Sequence, residues 1–256
     1  MIVHEQASPF DDGEVYDLMC NGLDYGVDFY VEQAAAARGC VLEIACGTGR
    51  ITIPCLQAGV DVEGLDLFPP MLDTLRKKSK ALGFSPQLHC ADMASFRIPK
   101  KYALVMITFN AFIHNLTQDA QIACLKCCRD HLEPGGMLLF DTFFPGLGYL
   151  QIESGTRVLE GEMRHPRTGN PMRMFDTRTF DRVNQIQHSV NELEYLDEKG
   201  NVFRVDRSEF DSRYVFKAEM ELLLRLAGYS RWSIAGDFDL RPLSKDTDAM
   251  IVRAWN

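Results

Sequence analysis

The ten residues VLEIACGTGR, Val41 to Arg50, decide the fold, because an apolar run of strand length passes directly into a glycine turn that opens a helix. Val41, Leu42 and Ile44 have the apolar continuity of a buried parallel strand. Gly47 and Gly49 let the backbone turn tightly and bring its N–H groups close to a ligand with no Cβ in the way, and Thr48 or Gly49 starts the helix. A second apolar strand, Val60 to Leu65, ends in Asp66, about twenty residues beyond the glycines, the spacing at which doubly wound folds set a carboxylate on both ribose hydroxyls. Two glycines alone would suit an ordinary strand-to-helix turn equally well. The placement of Asp66 favours a nucleotide ligand.

A dinucleotide fingerprint, G-x-G-x-x-G, requires a third glycine where this chain has Thr52. Taken with the acid ahead of it, the turn instead resembles that of the class I S-adenosylmethionine-dependent methyltransferases: Glu43, Ala45, Gly47 and Gly49 occupy the positions of E-x-G-x-G-x-G, with alanine for the first glycine. Alanine takes positive φ less readily than glycine, so the chain departs from the family there. The resemblance continues in order along the chain. Asp92 and Met93, within Leu88 to Phe96, match the family's adenine clamp, which implies a carboxylate for the exocyclic amine and an apolar side chain for the ring. Phe109 and Asn110 follow a fourth apolar strand, and Leu132 to Asp141 resembles the family's Pro-Gly-Gly turn and fifth strand.

The resemblance implies S-adenosyl-L-methionine as cofactor and S-adenosyl-L-homocysteine as product. The cofactor site it implies comprises Glu43, Ala45, Cys46, Gly47, Thr48, Gly49, Asp66, Leu67, Met71, Asp92, Met93, Phe109 and Asn110. In resembling enzymes an aromatic N-terminal segment folds over the methionine end of the cofactor, which adds Tyr16 and Tyr25, although a plain amphipathic helix would carry aromatics too.

The element pattern is that of an α/β chain. Strands near 41–45, 60–65, 87–90, 103–109 and 136–142 alternate with helices, the sequence of a doubly wound, mostly parallel sheet. Pro69 and Pro70 mark one helix start. Thr117 caps another, whose apolar face, Ile122, Leu125, Cys128 and Leu132, runs to Pro134-Gly135-Gly136. From about Gly155 to Arg213 short segments rich in Thr, Val, Phe and Tyr, separated by turn clusters, predict an antiparallel meander. Ile186 and Val190 share one phase and Leu193 and Tyr195 the other, which predicts a bulge between them. A helix bearing Phe216, Met220, Leu223, Leu224 and Ala227, and two strands at 230–236 and 247–254, complete the chain. The expected architecture is a Rossmann-like seven-stranded sheet with an antiparallel insertion after the fifth strand. Residues 1–150 form a helical cap plus cofactor core, 151–213 the insertion, and 214–256 the last helix and strands. The insertion resembles that of small-molecule methyltransferases, including sugar-amine N-methyltransferases, where it covers the acceptor; contact between two copies in a homodimer is its other use.

Charge and composition restrict the partners. With 27 Lys and Arg against 36 Asp and Glu, the net charge of −9 repels phosphate backbones, which argues against nucleic acid. An N-P-P-Y type tetrad is also missing after the fourth strand, where Phe109, Asn110, Ala111 and Phe112 stand. No apolar run reaches the ~18 residues of a membrane helix, and Met1 to Gln6 has no basic start leading into an apolar core, so a cytoplasmic protein is expected. The eight cysteines fall mostly within strand and helix patterns and read as reduced thiols. Cys124 and Cys127 have metal-ligand spacing, but no second pair follows, and no metal site is expected.

Methyl transfer from a sulfonium is an in-line displacement, which asks the protein to align donor and acceptor and exclude water. An amine acceptor needs something to take its proton, and a hydroxyl needs a base outright. His114, just past the fourth strand, is the candidate for that role; stacking on the cofactor and bonding to the Asn115–Thr117 turn are its other uses. Asp24 and Asp28 would suit a cationic acceptor or a solvated face. The expected function is transfer of a methyl group to a small molecule, at nitrogen in preference to oxygen. An NAD-dependent oxidoreductase and a non-catalytic S-adenosylmethionine-binding protein are the alternatives.

Overall fold

Buried apolar strands alternating with capped helices build the first half of the chain in the computed structural model, which describes residues 2–20, 23–246 and 248–256. After β1 (Ile2–Glu5), Ser8 and Asp11 form a reciprocal capping box around a single 3-10 turn, and the Asp12 carboxylate then caps α1 (Gly13–Met19) through the Glu14 and Val15 amides. There follow α2 (Val27–Ala36), β2 (Val41–Ile44), α3 (Thr52–Gln57), β3 (Val62–Asp66), α4 (Pro69–Ala81), β4 (Leu88–Cys90), β5 (Tyr102–Ile107), α5 (Gln118–Asp130) and β6 (Leu132–Phe143). The second half comprises α6 (Leu147–Leu150), β7 (Thr156–Arg164), β8 (Pro171–Asp181), β9 (Ile186–Leu196), β10 (Val202–Arg213), α7 (Lys217–Ala227), β11 (Arg231–Gly236), β12 (Arg241–Pro242) and β13 (Ala249–Trp255).

The main sheet has the order β12-β11-β13-β6-β5-β2-β3-β4. Pairing is parallel from β4 to β6 and antiparallel where β13 enters between β6 and β11. It has one strand more than the seven expected, the extra one being the two-residue β12. Since β2 sends its chain to β3 on one side and has β5 on the other, the crevice of the sheet opens at the carboxyl ends of these strands. Strand alternation divides the core in two. Leu42, Ile44, Val105, Ile107, Leu138 and Phe140 pack with α5 and α7, while Val41, Leu104, Met106, Leu139 and Ile251 pack with α2 and α3. No helix among the described residues is long and apolar enough to cross a membrane.

The Pro134-Gly135-Gly136 turn differs from expectation. The helix ends at Asp130, and the turn lies inside β6, where the register jumps from Tyr102↔Leu132 to Leu104↔Met137 and Gly135 has φ +79°. The extra residues bulge out of the ladder, a geometry that needs glycine.

A second sheet, β1-β10-β9-β8-β7, is antiparallel except for β1, which runs parallel to β10 with Ile2 opposite Arg204. The bulge expected between Val190 and Leu193 is absent. β9 pairs with β8 in unbroken register from Ile186 to Tyr195, and the irregularities fall at Leu159/Gly161 and Val202/Arg204 instead. The broken apolar alternation has another cause: the inward face of β9 carries Gln187, Ser189 and Asn191 before Leu193 and Tyr195. Three polar side chains point where apolar ones were expected.

Candidate active site

The carboxyl ends of β2, β3, β4 and β5 open into one cavity of about 900 Å³, closed on its far side by the second sheet. The turn after β2 contributes Ala45 and Gly47. Ala45 has φ +54°, so an alanine takes the left-handed conformation that ordinarily favours glycine, at a cost of about 1–2 kcal/mol. Gly49 serves packing. At φ +91° its hydrogen faces Leu75 and Ile53, and a Cβ there would run into the Leu75 side chain.

Several expected cofactor residues brace the turn without lining the cavity. Glu43 is fully buried, accepts hydrogen bonds from Thr52 Oγ1 and, at 3.0 Å, Thr108 Oγ1, and so ties β2 to α3 and to the end of β5. Burial pushes its carboxyl up to about 7. Thr52 therefore occupies the position of a dinucleotide fold's third glycine as the partner of this acid. Cys46 packs with Ile53, Leu72 and Leu75. Thr48 donates to Asp17 at 2.5 Å, fastening α1 to the turn, and Asp17 in turn pairs with Lys78 at 2.8 Å.

Asp66 lies at the tip of β3 and lines the cavity. It accepts the Gly47 amide on Oδ2 at 2.8 Å and the Phe68 amide on Oδ1 at 2.9 Å, while burial raises its carboxyl above the ordinary range. Leu67, Met71, Asp92 and Met93 line the same region, with Asn115 Nδ2 on Met93 Sδ at 3.1 Å.

After β5 the chain makes a strained turn. Phe109 and Asn110 both have positive φ, +56° and +59°, and both line the cavity. Their amides donate to the two oxygens of buried Asp141 at 2.8 and 2.9 Å, and Tyr30 donates to the same carboxylate at 2.5 Å. Three donors on one carboxylate hold a conformation that non-glycine residues avoid. Asn110 Oδ1 is buried with no partner among the described residues.

His114, in the 3-10 turn Ala111–His114, lines the cavity between Phe10 and Phe210, whose rings lie edge-on at centroid distances of 5.3 and 5.7 Å. Its Nδ1 is 3.3 Å from the Asp211 carbonyl, which fixes that nitrogen as the donor and leaves Nε2 with a free lone pair. Burial lowers its pKa and keeps the ring neutral.

The N-terminal tyrosines separate. Tyr16 lines the cavity, with its hydroxyl pushed well up by burial. Tyr25 does not line it: half of an edge-on pair with Phe238 at 4.7 Å, it offers its carbonyl to Arg50 Nη2 at 3.0 Å. Of the other two candidates in this stretch, Asp28 lies in the first turn of α2 and Asp24 is exposed, and neither lines the cavity. Sequence reasoning missed Arg50, whose guanidinium lies over the Phe109 ring at 4.0 Å with Nε and Nη1 buried and unpartnered among the described residues. It also missed Asp141 and the inward face of the second sheet, where Met163, Met174, Asp176, Arg178 and Asn191 line the cavity. The signal for the last was present as polar residues at alternate positions, Asp176 and Arg178, then Gln187, Ser189 and Asn191, of which Asp176, Arg178 and Asn191 reach the cavity.

Among known proteins, the chain is similar to methyltransferases. A family model described as a methyltransferase domain matches residues 41–136. The chain is 28% identical over 141 residues to dTDP-3-amino-3,4,6-trideoxy-alpha-D-glucopyranose N,N-dimethyltransferase of Streptomyces venezuelae, a match that spans 52% of this chain and 58% of that relative. It is 25% identical over 242 residues, 93% of each chain, to the cypemycin N-terminal methyltransferase of a Streptomyces species. An S-adenosylmethionine-dependent methyltransferase from Clostridium acetobutylicum has the same fold, with a TM-score of 0.75 at 19% identity over 94% of this chain and 96% of that one.

Proposed function

We propose, from the premise that residues 41–136 are a methyltransferase domain, that the chain is an S-adenosylmethionine-dependent enzyme moving a methyl group to a nitrogen of a small molecule. One observation carries the reading: Gly47, Asp66, Asp92 and Phe109, from four neighbouring strand ends, meet in a single covered cavity of about 900 Å³. That size is near the top of the ~300–1,000 Å³ range of small-molecule sites, room for a nucleoside-sized donor and a second small molecule.

The residues present fit the donor. Each Asp66 oxygen accepts one backbone amide and keeps capacity for a ribose hydroxyl. Asn110 Oδ1, on the cavity wall, and Nε and Nη1 of Arg50, which stands over the lining ring of Phe109 and not in the lining itself, are buried and unpartnered among the described residues and suit an ammonium and a carboxylate, the two charges of an amino-acid end. Met71 and Met93 suit the purine faces, and the Asp92 carboxylate its exocyclic amine. When bound, S-adenosylmethionine supplies a methyl carbon made electrophilic by its sulfonium, and the S–CH3 bonding pair stays with sulfur to leave S-adenosylhomocysteine. The chain's own contribution is alignment, exclusion of water and proton handling. Neutral His114 takes on Nε2 the proton that an acceptor nitrogen sheds on gaining a substituent. A weak base suffices for that task, whereas a hydroxyl demands more, which favours nitrogen.

The second sheet serves as the acceptor's cover. Its other face carries the exposed ion ladder Arg157–Glu192, Arg157–Glu194 and Arg173–Glu194, a solvated pattern that argues against using it as a homodimer contact. The net charge of −9 argues against nucleic acid as acceptor. The relatives and solved structure named above are all methyltransferases, which leaves the oxidoreductase reading without support. Calorimetric titration with S-adenosylhomocysteine and with NAD tests the donor, and transfer of labelled methyl to a panel of amines separates an enzyme from a silent binder. Binding of the first ligand alone, with label in an amine, is expected; binding of NAD alone would overturn the proposal.

A further inference from the structure

The half of the cavity away from the strand ends has a one-sided charge. Glu160 and Asp176 turn their carboxylates to it, while those of Glu162 and Glu209, opposite Arg173 and Val190 in register, belong to the outer face of the sheet; Arg178 is the one guanidinium among the described lining residues. Arg178 is already engaged, with Nε on Asp176 Oδ2 at 2.6 Å and Nη2 on Glu160 at 2.5 Å. Ser189 donates to the same Asp176 Oδ2 at 3.3 Å. One oxygen of Asp176 is thus doubly served, while Oδ1, in a residue only 5% exposed, has no partner among the described residues. A buried carboxylate oxygen left without a donor is expensive to maintain. Around it, Met163, Met174, Phe10 and Phe210 supply apolar walls.

We propose that Asp176 determines acceptor specificity: it selects amine acceptors with a positive charge and an apolar body, and the site rejects those bearing phosphate. The inference deepens the methyltransferase reading and rests on it for the identity of the reaction. A carboxylate keeps an ammonium protonated and therefore without a lone pair. The charge held by Asp176 is accordingly a second basic group of the acceptor, distinct from the nitrogen that receives the methyl. A nucleoside diphosphate ester would bring negative charge against carboxylates whose one guanidinium is already spent.

Three probes of similar shape and different charge test this: cyclohexylamine, cyclohexanol and cyclohexyl phosphate, titrated calorimetrically into the full chain with and without S-adenosylhomocysteine. The amine should bind about tenfold tighter than the alcohol, the phosphate should bind more weakly than either, and added salt should narrow the range. Asp176→Asn should abolish the amine's advantage over the alcohol, and Glu160→Gln, which removes the second acid held on Arg178, should reduce it about twofold. Phosphate binding as tight as that of the amine, failure of the amine to bind, or an unchanged amine preference in an Asp176→Asn protein that still binds S-adenosylhomocysteine would each overturn the proposal. Should Asp176→Asn fail to fold, the wild-type ranking, its salt dependence and Glu160→Gln decide the matter. Loss of S-adenosylhomocysteine binding with the amine ranking intact would count against the donor assignment and leave the charge selection standing.

Discussion

Replacing Glu43 by glutamine should make the protein more stable above neutral pH and leave it nearly unchanged in mild acid. Glu43 is 1% exposed, and burial holds its carboxyl up at about 7, against ~4.3 for the same group in an unfolded chain. Between those values the folded chain binds the proton and the unfolded chain does not, so stability falls as pH rises. The stabilising contribution is present in full below the unfolded pKa and is lost by the time the pH has passed the folded one. At ~1.36 kcal/mol per pH unit, the ionisation penalty reaches about 4 kcal/mol. Glutamine has no proton to lose, and its amide can serve the Thr52 and Thr108 hydroxyls, which rotate to accept. Urea unfolding of both proteins at about pH 5 and about pH 8 should show the variant's advantage widening by about 2–3 kcal/mol between the two. A wild-type-minus-variant difference that stays constant over that range would refute the view of Glu43 as a desolvated, mostly protonated brace.

Asp66→Ala should weaken S-adenosylhomocysteine binding by about 1–3 kcal/mol in calorimetry, and unchanged affinity would mean that the ribose is held elsewhere. His114→Gln should lower kcat while donor affinity is retained; a parallel fall in both would assign the ring to packing. Since burial lowers the His114 pKa, the acid limb of the kcat/KM profile should lie below the ~6.5 of an ordinary histidine, with activity lost as the pH falls through it. Asp141→Asn should cost about 2–4 kcal/mol in urea unfolding, because the asparagine NH2 group would take the place of one accepting oxygen and face a backbone N–H donor. The Phe109 and Asn110 amides should then exchange faster with solvent.

The main sheet was legible because its signals are local. The buried strands are predominantly apolar, interrupted in β2 and β3 by Glu43 and Glu63, and the glycines, Asp66 and the proline pair punctuate them at fixed offsets. Residues whose roles depend on distant partners were not legible. Glu43 reads as a ligand group by its place ahead of the glycines, yet its partners are Thr52 and Thr108, which the fold brings to it. Asp141 gave no signal because its donors, Tyr30, Phe109 and Asn110, lie 111, 32 and 31 residues away. The inward face of β9 was misread for a related reason. Period-two alternation identifies the buried face only when that face is apolar, and here it carries Gln187 and Ser189, in a buried network with Tyr149 and Asp176, and Asn191, which lines the cavity.

The pairing of Ile2–Glu5 with Arg204–Arg207 has a kinetic consequence. The two segments stand about two hundred residues apart in the chain, a closure of long sequence separation and correspondingly slow. The strands from β7 to β10 each meet a neighbour adjacent in sequence, so the second sheet can assemble from local hairpins and gain its β1 edge afterwards.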